Sequence, residues 1–408
     1  MAARFASVRT PCTIFHMKIT RRLFASLLIF LAPLLFLTPS RTPAKKSSAH
    51  DYLAFIGTYT TKTDSQGIYA FRFDSTTGQL TAIGVAAQTQ DPSFLTISRN
   101  EKYLYAVNEL PNFAGKSSGA VSSYSLDRKT GKLTQLNQVP SGGADPCYVS
   151  LDHTGKYLLV ANYTGGSVAT FPVATDGRLA AASAFVQHTG SGPNKEHQEA
   201  PHAHYIATSA DNRHVFVADL GLDEVLIYRF DPATGSLTPS DPPYAKLAPG
   251  AGPRHLAFHP NGKFAYVLSE LNSTVTAFAY NSTNASFSSL QVLATIPKDF
   301  TPHNDTAEIV VHPSGQFLYA SNRGRDSIAV FAIDPNKGTL TPAGDFATTG
   351  KTPRNFALDP TGNFLLAANQ ESNNIVVFRI NRATGFLTPT AQVAEVPAPV
   401  DIVFTTAE

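Results

Sequence analysis

Short runs of apolar residues alternate with polar turns along most of this chain, and the pattern recurs about every fifty residues. Each copy contains one pair of apolar runs joined by a turn such as HPNGK and a second pair closed by a turn such as DPATGSL. Apolar runs of roughly four to eight residues between turn residues are typical of β-strands, so every copy predicts four strands. The complete copies begin at Asp91, Asp145, Pro201, Pro253, Asp305 and Pro353.

The repeat predicts the architecture of the chain. A period of roughly 20 to 50 residues with four strands per unit is typical of the blades of a β-propeller. A seventh unit is divided between the two ends: residues Tyr52–Leu80 open it, and Pro397–Thr405 supplies the missing first strand. Pairing these ends closes the ring and protects the sheet edges. We therefore expect an all-β, seven-bladed propeller of four-stranded blades, spanning residues 52–405 and closed by its N- and C-terminal strands.

Residues 1–44 have the pattern of an N-terminal extension with a signal peptide, and residues 45–51 form a linker to the propeller. A basic stretch precedes the apolar run Leu23–Leu37, and small residues suited to cleavage follow it. This run of 15 residues is short for a membrane span, and Arg21-Arg22 resembles a twin-arginine signal. We expect export to the periplasm or the medium without stable membrane association after cleavage. Sec export, an uncleaved anchor and a start at Met17 are the alternatives.

The composition limits the partners of the protein. Its 32 basic and 30 acidic side chains are nearly balanced and form no polybasic patch, which argues against a nucleic-acid partner. Cys12 belongs to the extension, so Cys147 is the single cysteine of the mature chain and no intramolecular disulfide is available. We expect Cys147 to be a small apolar filler of the channel, with a reactive thiol as the alternative. Because a closed ring needs no partner for its edges, we expect a monomer.

Differences between the copies indicate where the chemistry lies, because polar side chains of the innermost strands face the axial channel. One position near the start of the innermost strand holds His204, Arg254 and Arg354. A second position, on the next strand, holds Glu109, Glu270, Arg323 and Gln370. Imidazole, guanidinium and carboxylate groups around one axis predict a site for an anion.

Two pairs of histidines have different expected roles. His202 and His204 are two residues apart, so on a strand their side chains share one face. We favour a general base or a hydrogen-bond donor to substrate, because imidazole titrates near neutrality; a metal pair and a purely structural pair are the alternatives. No cluster is spaced to complete a metal shell, so we expect no metal and no cofactor. His259 and His312 precede proline-containing turns and are expected to be structural.

The charged candidates also have simpler interpretations. Arg254 can bind a carboxylate or phosphate through its planar guanidinium, or it can form an ion pair between blades. Glu270 can orient a histidine or activate water, or it can neutralise neighbouring arginines. Arg323 is a second candidate for anion binding, whereas Arg325 is expected to face a loop.

The chain resembles the lactonase family of seven-bladed propellers, of the 6-phosphogluconolactonase type, which also contains fungal carboxy-cis,cis-muconate cycloisomerase. The similarity extends from about Tyr52 to Thr405. The motifs that support it are IGTYT, VANYTGGSV, HQEAPHAH, VADLGLDEVLIY, PGAGPRHLAFHP, AYVLSEL, AEIVVHPSGQFLYASNRGRDSIAVF and TPRNFALDPTGNFLLAANQ.

The resemblance implies metal-independent hydrolysis of a sugar lactone, with 6-phosphogluconolactone or, for an exported protein, gluconolactone as the small-molecule substrate. Family site residues match His204 or His202, together with Arg254, Glu270 and Arg323. The resemblance implies that the histidine, helped by Glu270, activates water, while the arginines bind the anion and the oxyanion. A muconate-lactone cycloisomerase and a non-catalytic propeller that binds a carbohydrate or protein are the alternative functions.

Overall fold

The computed structural model describes residues 51–408, and these residues form 28 β-strands without a helix. The first fifteen strands are β1 (Asp51–Thr58), β2 (Gly67–Asp74), β3 (Gln79–Gln88), β4 (Leu95–Ile97), β5 (Tyr103–Asn108), β6 (Ala120–Leu126), β7 (Leu133–Pro140), β8 (Pro146–Leu151), β9 (Tyr157–Asn162), β10 (Ser167–Pro172), β11 (Ala184–Gln187), β12 (Ala203–Thr208), β13 (His214–Asp219), β14 (Glu224–Asp231) and β15 (Ser236–Lys246). The remaining strands are β16 (Pro253–Phe258), β17 (Phe264–Ser269), β18 (Thr274–Asn281), β19 (Ser286–Ala294), β20 (Asp305–Val311), β21 (Phe317–Arg323), β22 (Ser327–Ile333), β23 (Leu340–Ala347), β24 (Pro353–Leu358), β25 (Phe364–Asn369), β26 (Asn374–Ile380), β27 (Leu387–Glu395) and β28 (Pro399–Thr406).

The strands form seven four-stranded antiparallel sheets, which are the blades. Blades 1 to 6 each use four consecutive strands, from β4–β7 to β24–β27, and blade 7 combines β28 with β1, β2 and β3. The first strands of the blades, which include β28, contact one another in sequence around one axis, and β28 contacts both β24 and β4. The all-β, seven-bladed propeller predicted from the repeat is therefore confirmed.

Ring closure depends on the C-terminal strand. β28 pairs antiparallel with β1 from Tyr52 opposite Thr406 to Thr58 opposite Pro399. The Asp401 carboxylate on β28 also accepts a hydrogen bond from the backbone N–H of Leu95 in blade 1, at 2.7 Å. The divided seventh blade was predicted from the two ends of the repeat, and this pairing confirms it.

Hydrophobic packing between adjacent blades holds the ring together. The second strand of a blade, such as β9 with the sequence YLLVAN, is buried along its whole length because both sheet faces meet a neighbouring blade. Between blades 4 and 5, for example, Tyr266 and Leu268 pack with Ala320 and Phe331. The outermost strands are more exposed, so the polar residues of the repeat concentrate there and in the turns.

His259 and His312 join the turns of neighbouring blades. Each imidazole donates a hydrogen bond from Nε2 to a carbonyl oxygen in the next blade, Gly315 for His259 and Gly362 for His312, at 2.9 Å in both cases. Gly315 has a φ of +72°, and a Cβ atom there would lie 2.8 Å from the His259 ring. The prediction that both histidines are structural is confirmed.

The pH dependence of stability tests the contact between Asp401 and the Leu95 N–H. Burial raises the pKa of the Asp401 carboxyl well above the ordinary value, although the hydrogen bond from the Leu95 N–H opposes the shift. When the pKa of a carboxyl is higher in the folded state than in the unfolded state, its contribution to stability is complete below the unfolded-state pKa of about 4. That contribution is lost as pH rises from there to the folded-state pKa.

We therefore expect Asp401→Asn, compared with the wild type, to gain stability as pH rises from 4 to 7, by up to about 1.4 kcal/mol per unit of pKa difference. Urea unfolding of both proteins at several pH values measures this difference. A difference that stays constant with pH would show that the carboxyl is ionised in the fold.

The predicted signal peptide and nearly all of the predicted linker lie outside the described residues. Within residues 51–408 there is no helix that is long and apolar enough to cross a membrane.

Candidate active site

β-bulges at the start of four innermost strands place the predicted axial side chains. Strand pairing shifts register at Cys147, His204, Arg254 and Arg354, in blades 2, 3, 4 and 6. A bulge leaves one residue out of the ladder and redirects its side chain, and bulges recur next to active sites. These four residues therefore occupy equivalent positions, as the alignment of the repeats predicts for the two arginines, the histidine and the cysteine.

A second set of side chains surrounds the same end of the channel, because the second strand of each blade ends beside the bulge. We call these the rim residues. They are Tyr59, Glu109, Tyr163, Glu270, Arg323 and Gln370, which end or directly follow β1, β5, β9, β17, β21 and β25.

Glu270 bridges two of the arginines. Its Oε2 lies 3.0 Å from Arg254 Nε and 3.0 Å from Arg323 Nη2. Burial raises the pKa of the Glu270 carboxyl, but the combined charges of Arg323, Arg254 and Arg354 outweigh burial and hold this pKa below its usual range. Glu270 is thus an ionised carboxylate whose charge is compensated locally. No hydrogen bond joins it to His204 within residues 51–408.

Arg254 is the most deeply buried member of this cluster. Its guanidinium donates to the carbonyl oxygen of Ala307 and to Nε2 of His255, the latter at 3.2 Å. His255 in turn donates from Nδ1 to Glu308 at 3.1 Å. Burial and the nearby charges of Arg323 and Arg354 lower the pKa of Arg254 to about 10, so the side chain remains cationic at neutral pH.

Arg354 differs from the other two arginines because its guanidinium has no hydrogen-bond or carboxylate partner within residues 51–408. It lies over the ring of Tyr59, with 5.3 Å from its central carbon to the ring centroid. Arg354 also lines the axial cavity. Its donors are therefore available to a ligand, whereas those of Arg254 and Arg323 are largely engaged.

His202 makes contacts through both ring nitrogens. Nδ1 donates to the carbonyl oxygen of Tyr163 at 3.1 Å, and Nε2 lies 3.3 Å from a carboxylate oxygen of Glu199. The imidazole also stacks on the Tyr163 ring, with centroids 4.5 Å apart. His202 therefore has no free nitrogen with which to accept a proton from a ligand.

His204 has a free nitrogen. Its Nδ1 lies 3.7 Å from the sulfur of Cys147, whose thiol is placed to donate to the Ala203 carbonyl oxygen. We therefore assign the ring proton to Nδ1, which leaves the lone pair on Nε2. Burial, and then the positive charge of Arg254, lower the pKa of His204 well below the ordinary value, so the imidazole is neutral.

Glu109 faces this group from blade 1. Its carboxyl accepts hydrogen bonds from the Tyr59 hydroxyl, at 2.9 and 3.0 Å to its two oxygens, and from the Ser93 hydroxyl. It has no ion pair of the kind that Glu270 makes. Burial raises the pKa of Glu109, although the charge of Arg354 and the two hydroxyl groups oppose this shift.

A small cavity of about 10 Å³ lies among these side chains, and Glu109, Cys147, His204, Arg254 and Arg354 contribute to its walls. This volume is close to what one water molecule requires. Cys147 is buried in the wall, as expected for an apolar filler, and burial raises the pKa of its thiol well above the ordinary value. Across residues 51–408, no group of three or more His, Cys, Asp or Glu side chains is arranged to hold a metal ion.

The structure brings together four of the predicted site residues, His204, Arg254, Glu270 and Arg323, and places His202 beside them. Arg325 lies apart from the site, where its Nε contacts Asp345 at 3.0 Å, in agreement with the expectation that it faces a loop.

Fold and site together define a propeller with a cluster of arginine, glutamate and histidine side chains at one end of its axis. The family model "Lactonase, 7-bladed beta-propeller" matches residues 53–404, and the chain belongs to this family. The 6-phosphogluconolactonase of Bacillus subtilis is 40% identical over 308 residues, which cover 76% of this chain and 85% of that protein. A 6-phosphogluconolactonase of Formosa agariphila is 37% identical over 308 residues, 75% of this chain and 86% of that protein.

A solved structure shows the same similarity. The periplasmic gluconolactonase PpgL of Pseudomonas aeruginosa has a TM-score of 0.83 and 36% identity, covering 88% of this chain and 100% of that chain. The fold and the recognition of the family, both expected from the sequence, are confirmed.

Arg354 and Glu109 line the same cavity but are not among the predicted site residues. The alignment of the repeats places both at axial positions. It carries no information on their partners: Arg354 has no hydrogen-bond or carboxylate partner within residues 51–408, and Glu109 accepts hydrogen bonds from two hydroxyl groups while the charge of Arg354 acts on it. The signal in the sequence that could have selected them is that three arginines and two glutamates occupy the axial positions of the repeat.

Proposed function

We propose that this protein is a lactonase that hydrolyses a sugar lactone, of the 6-phosphogluconolactone or gluconolactone type, to the aldonic acid. The observation that supports this most directly is that His204 and Arg354 line one cavity, and that each has side-chain nitrogen atoms without a partner within residues 51–408. A base and an anion-binding cation at one carbonyl carbon are the groups that ester hydrolysis requires. The lactonase relatives provide independent support.

In this proposal, His204 rather than His202 activates the water molecule. The neutral imidazole has its lone pair on Nε2, which has no partner among residues 51–408, whereas both nitrogens of His202 make contacts. Water hydrogen-bonded to Nε2 would lose its proton as it attacks the carbonyl carbon. The negative charge that then develops nearby makes the imidazolium easier to form.

The arginines have two roles in this mechanism. Glu270 holds Arg254 and Arg323 in place through the two contacts of 3.0 Å. Arg354 keeps its donors free, so we assign to it the stabilisation of the oxyanion in the tetrahedral intermediate. Because the cavity has room for only about one water-sized group, the attacking water or the carbonyl oxygen enters it and the sugar ring lies at the rim residues.

We also propose that the protein acts after export, as a monomer, on an unphosphorylated lactone such as gluconolactone. The support is the signal-like pattern of residues 1–44 and the similarity to a gluconolactonase described as periplasmic. In this proposal residues 45–51 link the signal to the propeller domain of residues 52–405.

The test is to follow proton release from freshly prepared gluconolactone and 6-phosphogluconolactone, with and without a chelator. We expect turnover above the spontaneous rate that is insensitive to the chelator. We expect Arg354→Met to lower kcat by about 100-fold, the typical effect of losing one oxyanion donor.

Arg325→Met is the matched control, because Arg325 pairs with Asp345 outside the site; it should retain the wild-type rate. Absence of turnover on both lactones would reject the lactonase proposal and favour a propeller that only binds a carbohydrate or a protein. Full activity of Arg354→Met would reject the role of this arginine.

A further inference from the structure

Two glutamates at equivalent positions of the repeat have very different surroundings. Glu109 in blade 1 and Glu270 in blade 4 occupy the same position of the repeat, directly after the second strand. Glu270 lies 3.0 Å from each of two guanidinium groups. Glu109 contacts only hydroxyl groups, those of Tyr59 and Ser93, and forms no ion pair within residues 51–408. One carboxyl is therefore paired directly with two cations, whereas the other is influenced by the charge of Arg354 without a direct ion pair.

Glu109 is placed to reach a reacting lactone. It lines the same small cavity as His204 and Arg354, so the proposed base, the proposed oxyanion donor and Glu109 surround one point. The hydrogen bonds from Tyr59 and Ser93 hold the Glu109 carboxyl in place while leaving it on the cavity wall. A positioned carboxyl in a catalytic cavity can transfer a proton to a substrate oxygen within hydrogen-bond reach.

Lactone hydrolysis needs such a proton donor. The leaving group is the ring oxygen of the sugar, an alkoxide unless it is protonated as the bond breaks. We propose that Glu109 is the general acid that protonates this ring oxygen. This inference rests on the proposed lactonase function and adds a second proton-transfer group to it.

The proposed reaction balances as follows. The water oxygen bonds to the carbonyl carbon, and its proton moves to Nε2 of His204. The oxyanion of the tetrahedral intermediate lies beside Arg354. When the carbonyl re-forms, the bond from its carbon to the ring oxygen breaks, and the ring oxygen takes the proton of Glu109. His204 then gives up the proton that it took and Glu109 regains one, either directly from His204 or through solvent, so that one water is consumed and a hydroxy acid is released.

The electrostatic surroundings support this division of roles. Burial raises the pKa of Glu109, whereas the arginines hold the pKa of Glu270 below its usual range in spite of burial. The raised pKa favours the protonated form of Glu109 that a general acid needs, while Glu270 stays ionised and holds Arg254 and Arg323. The ionisable groups that line the cavity with Glu109 are Tyr59, Cys147, His204, Arg254, His255, Glu308 and Arg354, and the charge of Asp145 also acts on Glu109.

The first test is the pH dependence of kcat for Glu109→Gln. The wild-type kcat should fall as pH rises through the pKa of Glu109, because the acid must be protonated. In Glu109→Gln we expect kcat to be about 100-fold lower, with KM little changed and the decline at high pH absent. The amide oxygen can still accept the bonds from Tyr59 and Ser93, so the cavity should keep its shape. Glu371→Gln, the same change at an exposed position of blade 6, should retain the wild-type profile.

A second variant keeps the acid but changes its surroundings. The hydroxyl of Ser93 stabilises the ionised form of Glu109, so Ser93→Ala should raise the pKa further and move the decline of kcat to higher pH. A decline that stays at the same pH in Ser93→Ala, or a Glu109→Gln enzyme with wild-type kcat and pH profile, would overturn the inference. Those results would leave the lactonase function intact, since wild-type turnover tests that function separately.

Discussion

His204→Gln is expected to lower kcat for lactone hydrolysis by about 100-fold to 10,000-fold, the usual contribution of a positioned general base. His202→Gln, two residues earlier, is expected to lower it by less than about 10-fold. The difference follows from the nitrogen atoms. The Nε2 of His204 has no partner within residues 51–408, whereas the two nitrogens of His202 contact the Tyr163 carbonyl and Glu199.

The pH profile distinguishes loss of a base from damage to the fold. Burial and the nearby arginines lower the pKa of His204 well below its ordinary value, so the base is neutral over the whole neutral range. The decline of wild-type kcat that reports protonation of His204 should therefore lie at acidic pH, and that decline should be missing from His204→Gln. Unchanged melting temperatures for both variants would show that the propeller remains folded.

The opposite result is equally informative. If His202→Gln loses the larger part of kcat, the base is His202, and its contact with Glu199 activates it. If neither variant loses more than about 10-fold, the water is activated by another group and the mechanism proposed here is wrong.

The fold could be predicted because its information is local and repeated. Each blade copies the same strand and turn pattern, so an uncertain copy such as the one at Asp305 is supported by five others. The divided blade could be predicted because the strand at Pro397–Thr405 has no partner in its own neighbourhood of the chain. The N-terminal unit lacks one strand and the C-terminal end has one strand without a blade. Pairing these two ends is therefore the one arrangement that closes the ring.

The positions of the axial residues could also be predicted, but their pairing could not. Counting from the turns places Arg254 and Arg354 at equivalent positions, and the structure confirms this and shows that both positions are β-bulges. Arg254 contacts Glu270 of its own blade and Ala307 of blade 5, whereas Arg354 lies over the ring of Tyr59 in blade 7 and has no hydrogen-bond or carboxylate partner within residues 51–408. Whether a partner is within reach depends on side-chain directions and on residues of adjacent blades, and the repeat carries no information about either.

The same reason explains the two histidines. The alternation of a strand places His202 and His204 on one face, and both do contact the Tyr163 ring. Their partners differ because His202 lies just outside β12, beside Glu199, while His204 lies in the bulge beside Cys147. A residue before a strand and a residue in a bulge have different side-chain directions, which alternation alone does not distinguish.

Removal of the closing strand is expected to have the largest effect on stability. A chain that ends at Ala398 lacks β28 and leaves β1 as an exposed inner edge. The loss includes the burial of Val400 and Ile402, roughly 1.5 to 3 kcal/mol for each side chain. It also includes the hydrogen bonds of the ladder with β1, about 1 kcal/mol each.

These terms together are comparable with the whole free energy of unfolding of a typical domain, about 5 to 15 kcal/mol. We therefore expect the truncated chain to lose cooperative urea unfolding and to aggregate through the free edge of β1. Circular dichroism and size-exclusion chromatography measure the two effects.

A chain that ends at Thr406 is the matched control. It keeps all of β28 and removes the contact of Glu408 with Arg128, an ion pair at the surface. We expect it to lose no more than about 1 to 2 kcal/mol, because surface ion pairs and single backbone hydrogen bonds contribute little.

Addition of a synthetic peptide with the sequence of residues 399–408 tests whether the missing strand itself is responsible. If the edge of β1 is the defect, the peptide should pair with it, supply Asp401 to the Leu95 N–H and restore cooperative unfolding in proportion to its concentration. A truncated chain that unfolds at the wild-type urea concentration without the peptide would show that the ring closes without β28. Because Val400 also lines the axial cavity, a peptide that restores folding should restore lactone hydrolysis at the same concentration.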